Sequence, residues 1–448
     1  MANALIVLAA GRGTRMQSDK PKVLHEIAGA PLLVHALESA RELEATRRIV
    51  VTGYGSDAVV AAAHDYDDSL DCVHQTEQLG TGHAVLQARE ALASHEGPAF
   101  VLYGDTPFIR PETLAEMAAA LENAAVVVLG FEAADPGRYG RLITDGDRLL
   151  KIVEFKDATP EERGITLCNS GVLAADASLL FELLAEVTND NAAEEYYLTD
   201  VPALANERGL TTRVVRCEEA ETMGINSRAE LAAAAAHFQA VKRTEAMENG
   251  AQLDAPETVH FSWDTALGRD CHVEPNVVFG PGVTVETGAR IRAFSHLEGA
   301  HVSRGAIVGP YARLRPGAEL AENVRIGNFV EVKAAEIAEG AKVNHLSYIG
   351  DASVGAGANI GAGTITCNYD GVMKHRTEIG KDAFIGSNTM LVAPITVGDK
   401  AMTGSGSVVT KDVPDGALAV ARANQENKPG LARKLMARLR AIKAKKSS

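Results

Sequence analysis

Two glycines and several cations lie close together near the start of the chain, in LAAGRGTRMQSDKPKVL. Gly11 and Gly13 end an apolar run, and glycines in such a place expose backbone N–H groups that can surround an anion. Arg15 and Lys22 add positive charge. The pattern predicts a phosphate-binding loop, although glycine spacing alone supports a structural turn equally well.

Better-known phosphate loops do not fit this segment. The P-loop pattern GxxxxGK[ST] is absent, and Met16 stands where the dinucleotide-binding pattern GxGxxG requires its last glycine. Asp105 follows a second apolar run, AFVLYG, and a carboxylate at the end of a buried strand is a natural Mg²⁺ ligand. A helix N-cap before Pro107 explains Asp105 about as well from the residues alone.

Apolar residues recur every six positions in the second half of the chain. They are Val302, Val308, Leu314, Leu320, Ile326 and Val332, and then Ile379, Ile385, Leu391, Val397 and Val409, with Thr403 in one place. This period predicts hexapeptide repeats stacked as a parallel β-helix. With three hexads per turn, Arg315 and Lys333 should stack one turn apart, where two cations could clamp a phosphate. The segment TITCNYDGVMKHRT breaks the rhythm and predicts a loop leaving the coil.

The first half of the chain alternates apolar runs with helical patterns. Strands are predicted over 4–9, 48–53, 71–75, 99–104 and 125–131, and helices over 31–45, 82–93 and 111–122. This order predicts an α/β domain with a mostly parallel sheet covered on both faces, and such sheets bind ligands at the carboxyl ends of their strands. Residues 227–249 predict one helix, with Ser227 as its N-cap and Glu230 as its capping-box partner. The predicted domains are 1–226, a helical linker 227–250, and 251–448.

Composition indicates a globular protein. The 448 residues are 46% hydrophobic and 23% charged, with a net charge of −15, which argues against a general nucleic-acid binder. Five scattered cysteines without a CxxC pair fit a reducing cytosol and no structural zinc. The opening apolar run is too short to span a membrane, so we expect a cytoplasmic protein without a signal peptide.

Several motifs together resemble a known family. LAAGRGTRM followed by PKVL, QTEQLGTGHA and YGDTP resembles the sugar-nucleotide pyrophosphorylases. Joined to a hexapeptide region containing NHLSYIGD and NIGAGTITCNYDG, the chain from residue 4 to 422 resembles the bacterial bifunctional enzymes that combine N-acetylglucosamine-1-phosphate uridylyltransferase and glucosamine-1-phosphate N-acetyltransferase. The resemblance implies a Rossmann-like nucleotidyltransferase domain and a left-handed β-helix, and it weakens over 255–275.

The resemblance implies that UTP and N-acetylglucosamine-1-phosphate react at the first domain with Mg²⁺. Arg15 and Lys22 would be catalytic, Asp105 and Asn226 would hold the metal, and Gln78 would join Gln75 and its neighbours in reading uracil. The residues implied for UTP or its sugar product are Leu8, Ala9, Gly11, Lys22, Gln75, Gly80, Thr81, Tyr103, Gly104, Gly140, Glu154, Asn169 and Asn226.

The second implied site transfers an acetyl group from acetyl-CoA to glucosamine-1-phosphate. An ammonium cannot attack a thioester, so a base must remove a proton, and His345 matches the family's base. Without the flanking motif, a structural histidine would be favoured. Glucosamine-1-phosphate would be held by Arg315, Lys333, Tyr348 and Asn359, and acetyl-CoA by Ala362, Asn368, Tyr369, Ser387, Ser405 and Arg422.

Two alternatives stay open. The chain could be a pyrophosphorylase with a structural or regulatory β-helix, or a non-catalytic trimeric scaffold. The family resemblance implies a homotrimer whose product, UDP-N-acetylglucosamine, is a precursor of peptidoglycan and lipopolysaccharide.

The chain ends in a basic segment. Residues 428–448 carry eight Lys or Arg and no acid, which leaves −23 on the rest. Leu431, Leu435, Leu439 and Ile442 recur at helical spacing. The lack of an aromatic anchor makes membrane contact a weak alternative, and we expect this helix to dock on the β-helix.

Overall fold

The computed structural model describes residues 2–446 of the chain. It divides into two compact units, Met1–Lys242 and Arg243–Ser448. The boundary between them falls inside the helix Arg228–Glu248.

The first unit is built on a nine-stranded sheet. In spatial order its strands are Asp71–His74, Arg47–Thr52, Ala4–Ala9, Pro98–Tyr103, Leu167–Asp176, Val126–Glu132, Thr212–Cys217, Arg148–Val153 and Arg141–Asp145. Alternate residues of Ala4–Ala9 contribute to two separate buried clusters. The sheet is therefore covered on both faces, as the alternation of strands and helices predicts.

The prediction of a mostly parallel sheet is right for only part of it. The four strands from Asp71–His74 to Pro98–Tyr103 are parallel. Leu167–Asp176 then runs antiparallel to both of its long neighbours. The ribbon Arg141–Val153 adds further antiparallel pairs at the far edge. The ribbon is a hairpin that needs no crossover helix, and Leu167–Asp176 pairs with strands far from it in the chain, so alternation with helices could reveal neither.

The helices of the first unit are shorter than predicted. The segment predicted as 31–45 is an α-helix over Leu32–Ser39 and a 3₁₀ turn over Arg41–Leu43. The segment predicted as 82–93 is α-helical only over Thr81–Leu86 and continues mainly in tighter i→i−3 turns. The remaining α-helices are Ser56–Tyr66, Pro111–Ala120, Pro160–Arg163, Ala177–Leu184 and Val201–Glu207, with 3₁₀ turns at Thr14–Met16, Lys22–Leu24, Leu198–Asp200 and Glu219–Thr222 and a short ribbon of Glu26–Ile27 with Ala30–Pro31.

The second unit is the predicted parallel β-helix. Its short strands pair in parallel with strands one coil away, as Leu297 does with Leu314 and Leu314 with Val332. The apolar residues that recur every six positions point inward and are almost fully buried. The coil begins at Gln252–Leu253, which pairs with His272–Val273, so residues 255–275 already belong to it.

Three rows of short strands form the faces of the coil. One row is Gln252–Leu253, His272–Val273, Arg290–Ile291, Ile307–Val308, Arg325–Asn328, Lys342–His345, Asn359–Ile360, Phe384–Ile385, Met402–Thr403 and Leu418–Ala419. The other two rows share the strands Glu331–Ile337 and Tyr348–Val354. The second row otherwise comprises Ala266–Leu267, Thr284–Val285, Ala300–Val302, Ala318–Leu320, Thr377–Ile379 and Ile395–Val397. The third row otherwise comprises Val278–Phe279, His296–Leu297, Arg313–Leu314, Ile365–Cys367, Met390–Val392 and Val408–Val409.

The predicted interruption is an excursion from the coil. Val354 pairs with Ile379, a longer step along the chain than the steps before and after it, in which Ile337 pairs with Val354 and Ile379 with Val397. The additional residues form a loop with a bridge between Tyr369 and Lys374. At its tip, Val372 is 87% exposed.

The basic tail forms the helix Leu431–Lys446, as its spacing predicts. Its apolar residues stay exposed, from 41% at Leu431 to 58% at Leu439. The expected docking of this helix on the β-helix is therefore wrong within a single chain. Among residues 2–446, no helix is both long and apolar enough to cross a membrane.

Candidate functional site

The opening loop, residues 10–22, follows the buried strand Ala4–Ala9. Gly13 has a φ of +65°, and a Cβ atom there would lie 2.5 Å from Cβ of Lys22. A larger residue at position 13 would therefore displace Lys22. At Gly11 a Cβ would meet nothing within 4 Å, so the backbone there faces open space.

Lys22 lies between two oxygen acceptors from distant parts of the sequence. Its Nζ forms an ion pair with Asp105 and donates a hydrogen bond to Oδ1 of Asn226 at 3.0 Å. The side chains of Lys22 and Asp105 are only 14% and 15% exposed. Asp105 follows the strand Pro98–Tyr103, and Asn226 precedes the helix Arg228–Glu248. The fold thus brings these three predicted residues together.

This donor set fits Mg²⁺. A carboxylate oxygen and an amide oxygen face one shared cation, here the Lys22 ammonium. Mg²⁺ commonly takes one or two protein oxygens and completes its shell with water and substrate phosphates. Within residues 2–446, no cluster of three or more His, Cys, Asp or Glu could hold a metal ion, so such a site would depend on substrate oxygens.

A cleft of about 340 Å³ opens beside Lys22. It is lined by Leu8, Ala10, Gly11, Lys22, Val23, Gln75, Gln78, Gly80, Thr81, Ala84, Tyr103, Asp105 and Glu195. Most of the residues implied for UTP binding therefore line this cleft. Ala9 and Gly104 lie behind it at strand ends, with Gly104 N–H donating to Leu8 O at 3.0 Å. Arg15 is exposed in the turn Thr14–Met16 and does not line the cleft.

Two glutamines shape the cleft by bonding to its backbone. Gln75 is buried and donates through Nε2 to Gly80 O at 3.1 Å. Gln78 donates to Ala10 O at 2.9 Å, which ties its loop to the opening loop. Gly80 has a φ of +111°, and a Cβ there would lie 2.6 Å from Tyr196 O, so only glycine fits without displacement.

A second cleft of about 730 Å³ adjoins the first. The two share Thr81, Tyr103 and Glu195 in their linings. Its other lining residues are Arg138, Glu154, Phe155, Lys156, Arg163, Asn169, Ala192, Ala193, Tyr197 and Thr199. Gly140 supports this wall, because its O accepts from Asn169 N at 2.9 Å.

Two groups that line the second cleft have raised pKa values. Burial raises the pKa of Glu154, although Thr199 donates to its Oε1 at 3.2 Å. Burial also raises the pKa of Tyr103, and the Glu154 charge adds to that shift. Both groups therefore hold their protons to a higher pH than usual.

His345 ends the strand Lys342–His345 and is exposed. Its Nδ1 lies 2.7 Å from Oδ1 of Asn328, the residue it pairs with in the coil above. The residue after each of them, Leu346 and Phe329, adopts positive φ, and the chain turns a corner there.

Backbone hydrogen bonds connect this corner to most of the residues implied for acetyl-CoA. His345 O accepts from Gly363 N, Ala362 O accepts from Asn388 N, and Ser387 O accepts from Gly406 N. His345, Ala362, Ser387 and Ser405 therefore lie one below another along one corner, which we call the corner column. Arg422 lies next to its lower end and donates to Ser405 O at 2.5 Å.

Arg315 and Lys333 lie one coil apart, as their spacing predicts. The register pairs Leu314 with Val332, and Arg315 N donates to Val332 O at 2.8 Å. Each cation has an acidic neighbour, since Arg315 lies 2.8 Å from Glu331 and Lys333 lies 3.3 Å from Asp351.

Asn368 and Tyr348 belong to the same cluster. The amide of Asn368 contacts Asp351 and donates to the Tyr348 hydroxyl at 3.4 Å. Tyr369, by contrast, is 60% exposed, and its hydroxyl donates within its own loop to Gly371 O at 2.6 Å. Asn359 is half-buried and pairs with Lys342 in the coil above.

Sequence reasoning missed several of these residues. Asn328 lies one coil before His345, and Asp351 lies one coil after Lys333, so the spacing of the repeat could have identified both. Lys374 could not be found in this way, because it lies in the excursion. The neighbouring Lys333 ammonium lowers the pKa of Lys374.

Comparisons with known proteins cover both units. The family model of the MobA-like NTP transferase domain matches residues 5–219, and that of the hexapeptide repeat of succinyl-transferase matches residues 376–411. A protein of Jannaschia sp. (strain CCS1) named bifunctional protein GlmU is 66% identical over 99% of this chain and 98% of its own length. Proteins of the same name from Ruegeria sp. (strain TM1040) and Paracoccus denitrificans are 65% and 61% identical, with 100% and 98% of both chains covered, respectively. The chain belongs to the family of the bifunctional protein GlmU.

Proposed function

We propose that this protein makes UDP-N-acetylglucosamine by two consecutive transfers. The second unit acetylates glucosamine-1-phosphate with acetyl-CoA. The first unit then transfers UMP from UTP to N-acetylglucosamine-1-phosphate and releases pyrophosphate. The full-length similarity to relatives named as bifunctional, at 66% and 65% identity, supports both activities. It also argues against a β-helix that is only structural.

Acetyl transfer would use His345 as its base. Asn328 Oδ1 accepts a hydrogen bond, so the ring proton lies on Nδ1 and leaves the Nε2 lone pair available. Nε2 removes a proton from the substrate ammonium, and the amine attacks the thioester carbonyl. A C–N bond forms, the C–S bond breaks, and coenzyme A leaves as the thiol with the second proton that the nitrogen loses. The corner column would position acetyl-CoA beside the base.

Substrate phosphate would bind at Arg315 and Lys333. Their ion pairs with Glu331 and Asp351 keep two cations on neighbouring coils in a fixed place. A phosphate can bind both cations at once, and such charge-assisted bonds are among the strongest polar contacts. Tyr348, Asn359 and Asn368 would contact the sugar.

Uridylyl transfer would occur in the two adjoining clefts. The cleft at Lys22 accepts the nucleotide, and the cleft at Glu154 and Asn169 accepts the sugar. A sugar-phosphate oxygen attacks the α-phosphorus of UTP, and the bond to pyrophosphate breaks. Lys22 neutralises phosphate charge and positions the reactants, which supplies most of the catalysis in such transfers.

Mg²⁺ is the metal we propose for this step, held by Asp105 and Asn226. Bound there, it would stabilise the charge on the triphosphate oxygens. Gly11 and Gly13 supply open backbone for the phosphates. Arg15 stays a candidate only if its exposed side chain turns toward the bound triphosphate.

Further features of the proposal follow from the resemblance. We expect a cytoplasmic homotrimer with functional domains at 1–226, 227–250 and 251–448. Its product would serve cell-wall synthesis.

The observation that carries the proposal is the joint presence of the Lys22–Asp105–Asn226 cluster and the His345–Asn328 pair in one chain. The test is to measure coenzyme A release with glucosamine-1-phosphate and pyrophosphate release with N-acetylglucosamine-1-phosphate and UTP. Both should be observed. Pyrophosphate release without coenzyme A release would instead support a pyrophosphorylase with a structural β-helix.

A further inference from the structure

Two side-chain contacts join residues 22–25 to residues 226–228, where the helix Arg228–Glu248 begins. Lys22 Nζ donates to Asn226 Oδ1 at 3.0 Å, and Nη1 of Arg228 lies 3.3 Å from Nδ1 of His25. Lys22 and His25 are also joined directly, because His25 N–H donates to Lys22 O at 3.2 Å. Because residues 226 and 228 are also close in the chain, these contacts close a loop that includes the proposed metal ligand Asn226.

The protonation of His25 follows from its partner. Arginine stays protonated and can only donate, so Nδ1 of His25 must accept and its ring proton lies on Nε2. Burial lowers the pKa of His25, and the charges of Arg228 and Lys20 lower it further. The neutral ring that the hydrogen bond requires is therefore the favoured form.

His25 has little other polar support within the described residues. It is 4% exposed, and its Nε2 has no hydrogen-bond partner among residues 2–446. A buried polar group with an unmet donor is costly and needs an explanation. The hydrogen bond from Arg228 provides this explanation. A leucine or phenylalanine would fill the same space without an unmet donor, but neither could accept a hydrogen bond from Arg228.

The position of Arg228 determines that of Asn226. Ser227 Oγ accepts from Glu230 N at 3.2 Å, and Glu230 Oε2 accepts from Asn226 N at 2.6 Å. This variant of a capping box makes residues 226–230 one rigid helix start. The helix then packs through Ala234 against the buried Ile27 and Leu32, close in sequence to His25.

We propose that His25 and Arg228 are positioning residues for uridylyl transfer, whose hydrogen bond fixes Asn226 against Lys22 and Asp105. Neither residue lines a substrate cleft, so they act through Asn226. The inference rests on the proposed role of Asn226 as a Mg²⁺ ligand.

The test measures Mn²⁺ binding to the full-length protein in the presence of UDP-N-acetylglucosamine. The electron paramagnetic resonance signal of free Mn²⁺ reports how much of the ion stays unbound. Arg228→Met removes the donor, and we expect the Mn²⁺ dissociation constant to rise about tenfold or more, as for other residues that orient metal ligands. Lys20→Met is the matched control. It removes a nearby exposed charge that acts on His25 only at a distance and leaves the Arg228–His25 hydrogen bond in place, so binding should change less than about twofold.

A second pair of variants separates hydrogen bonding from packing. Asparagine and leucine have nearly the same shape, but only asparagine can accept from Arg228. His25→Asn should bind Mn²⁺ nearly as tightly as the wild type, whereas His25→Leu should match Arg228→Met. Acetyl transfer and the circular dichroism spectrum report whether each variant is folded.

Three results would overturn the inference. Arg228→Met could bind Mn²⁺ normally, or His25→Asn and His25→Leu could lose affinity equally, and each would show that the hydrogen bond does not position Asn226. Failure of the wild type to bind Mn²⁺ would be different, because it removes the proposed metal site itself and this inference with it.

Discussion

Nδ1 of His345 lies 2.7 Å from Oδ1 of Asn328, and the two residues are paired in adjacent coils of the β-helix. The amide oxygen selects the tautomer with the proton on Nδ1 and fixes the plane of the ring. Asn328, a residue in a different coil, thus leaves Nε2 of His345 as the nitrogen that can act as the base in the proposed acetyl transfer.

Asn328→Leu should lower the acetyl-transfer rate by up to about 100-fold, because it removes the acceptor while keeping the side-chain shape. Uridylyl transfer provides the internal control and should not change. Asn328→Asp keeps an oxygen acceptor beside the ring. Its acetyl-transfer rate should therefore stay closer to that of the wild type than the rate of Asn328→Leu. An unchanged rate for Asn328→Leu would show that the pair does not matter to catalysis.

Lys22→Ala and Asp105→Ala should each lower uridylyl transfer by about 100-fold or more, because a preorganised charge at the phosphates is lost. Coenzyme A release should stay within experimental error of the wild-type rate, since both residues belong to the first unit. Loss of acetyl transfer in a folded Asp105→Ala protein would contradict two independent sites.

The sequence was most informative where a period or a strand end determines geometry. The hexapeptide period identified the buried residues of the coil, and the spacing of three hexads placed Arg315 one coil from Lys333. Asp105 could be anticipated because parallel strands end on one edge of a sheet. The antiparallel strand Leu167–Asp176 escaped prediction, since pairing between residues far apart in the chain leaves no local pattern.

Removal of divalent metal should separate the two activities. EDTA should abolish uridylyl transfer, and added Mg²⁺ should restore it, because Lys22 alone cannot neutralise the charge of the triphosphate. Asp105 and Asn226 offer too few oxygens to hold a metal ion unless the triphosphate supplies the others. Acetyl transfer develops no phosphate charge and should be insensitive. Equal inhibition of both reactions would indicate a structural metal or a misplaced site.

Gly13→Ala and Gly11→Ala form a matched pair in the opening loop. Alanine at position 13 would be strained at φ +65° and would collide with Lys22, so we expect a destabilisation of about 1–3 kcal/mol and a loss of uridylyl transfer. Alanine at position 11 meets no atom, so the melting temperature should not change. Thermal unfolding measures both, and equal melting temperatures would refute the steric argument.

Glu221 should make the first unit sensitive to acid. It is 4% exposed and accepts hydrogen bonds from Thr113 at 2.6 Å and from Arg110 at 2.8 Å. Burial alone would raise its pKa, but these bonds outweigh burial and lower it. The unfolded state therefore binds more protons, and the stabilisation present above the unfolded pKa of about 4.3 is lost as the pH falls through the folded value.

Glu221→Gln tests this dependence. At pH 7 the variant should be less stable by about 2 kcal/mol, the usual contribution of hydrogen bonds to a charged group. The difference from the wild type should shrink as the pH falls below about 4. Glu116→Gln, an exposed change on the same helix as Thr113, is the control. A pH-independent difference would show that the charge of Glu221 does not contribute.

The direction in which a side chain points at these sites could not be predicted from its residue type. Arg15 belongs to the motif, yet its side chain is exposed and does not line the cleft. Gln75 and Gln78 were expected to bind the uracil base. In the structure their side-chain amides donate hydrogen bonds to backbone carbonyl groups of the cleft walls. Side-chain direction of this kind follows from packing between distant segments, which local sequence patterns do not report.

The central claim is that one chain carries two independent sites linked by a diffusible product. The most direct measurement starts from glucosamine-1-phosphate, acetyl-CoA and UTP and follows the formation of UDP-N-acetylglucosamine by His345→Ala, by Lys22→Ala and by a mixture of the two. Each variant alone should form almost none, because loss of a general base typically costs about 10²–10⁴ in rate and loss of Lys22 disables the second step. The mixture should recover much of the wild-type rate. A mixture that stays inactive, although each variant retains its other half-reaction, would contradict the account.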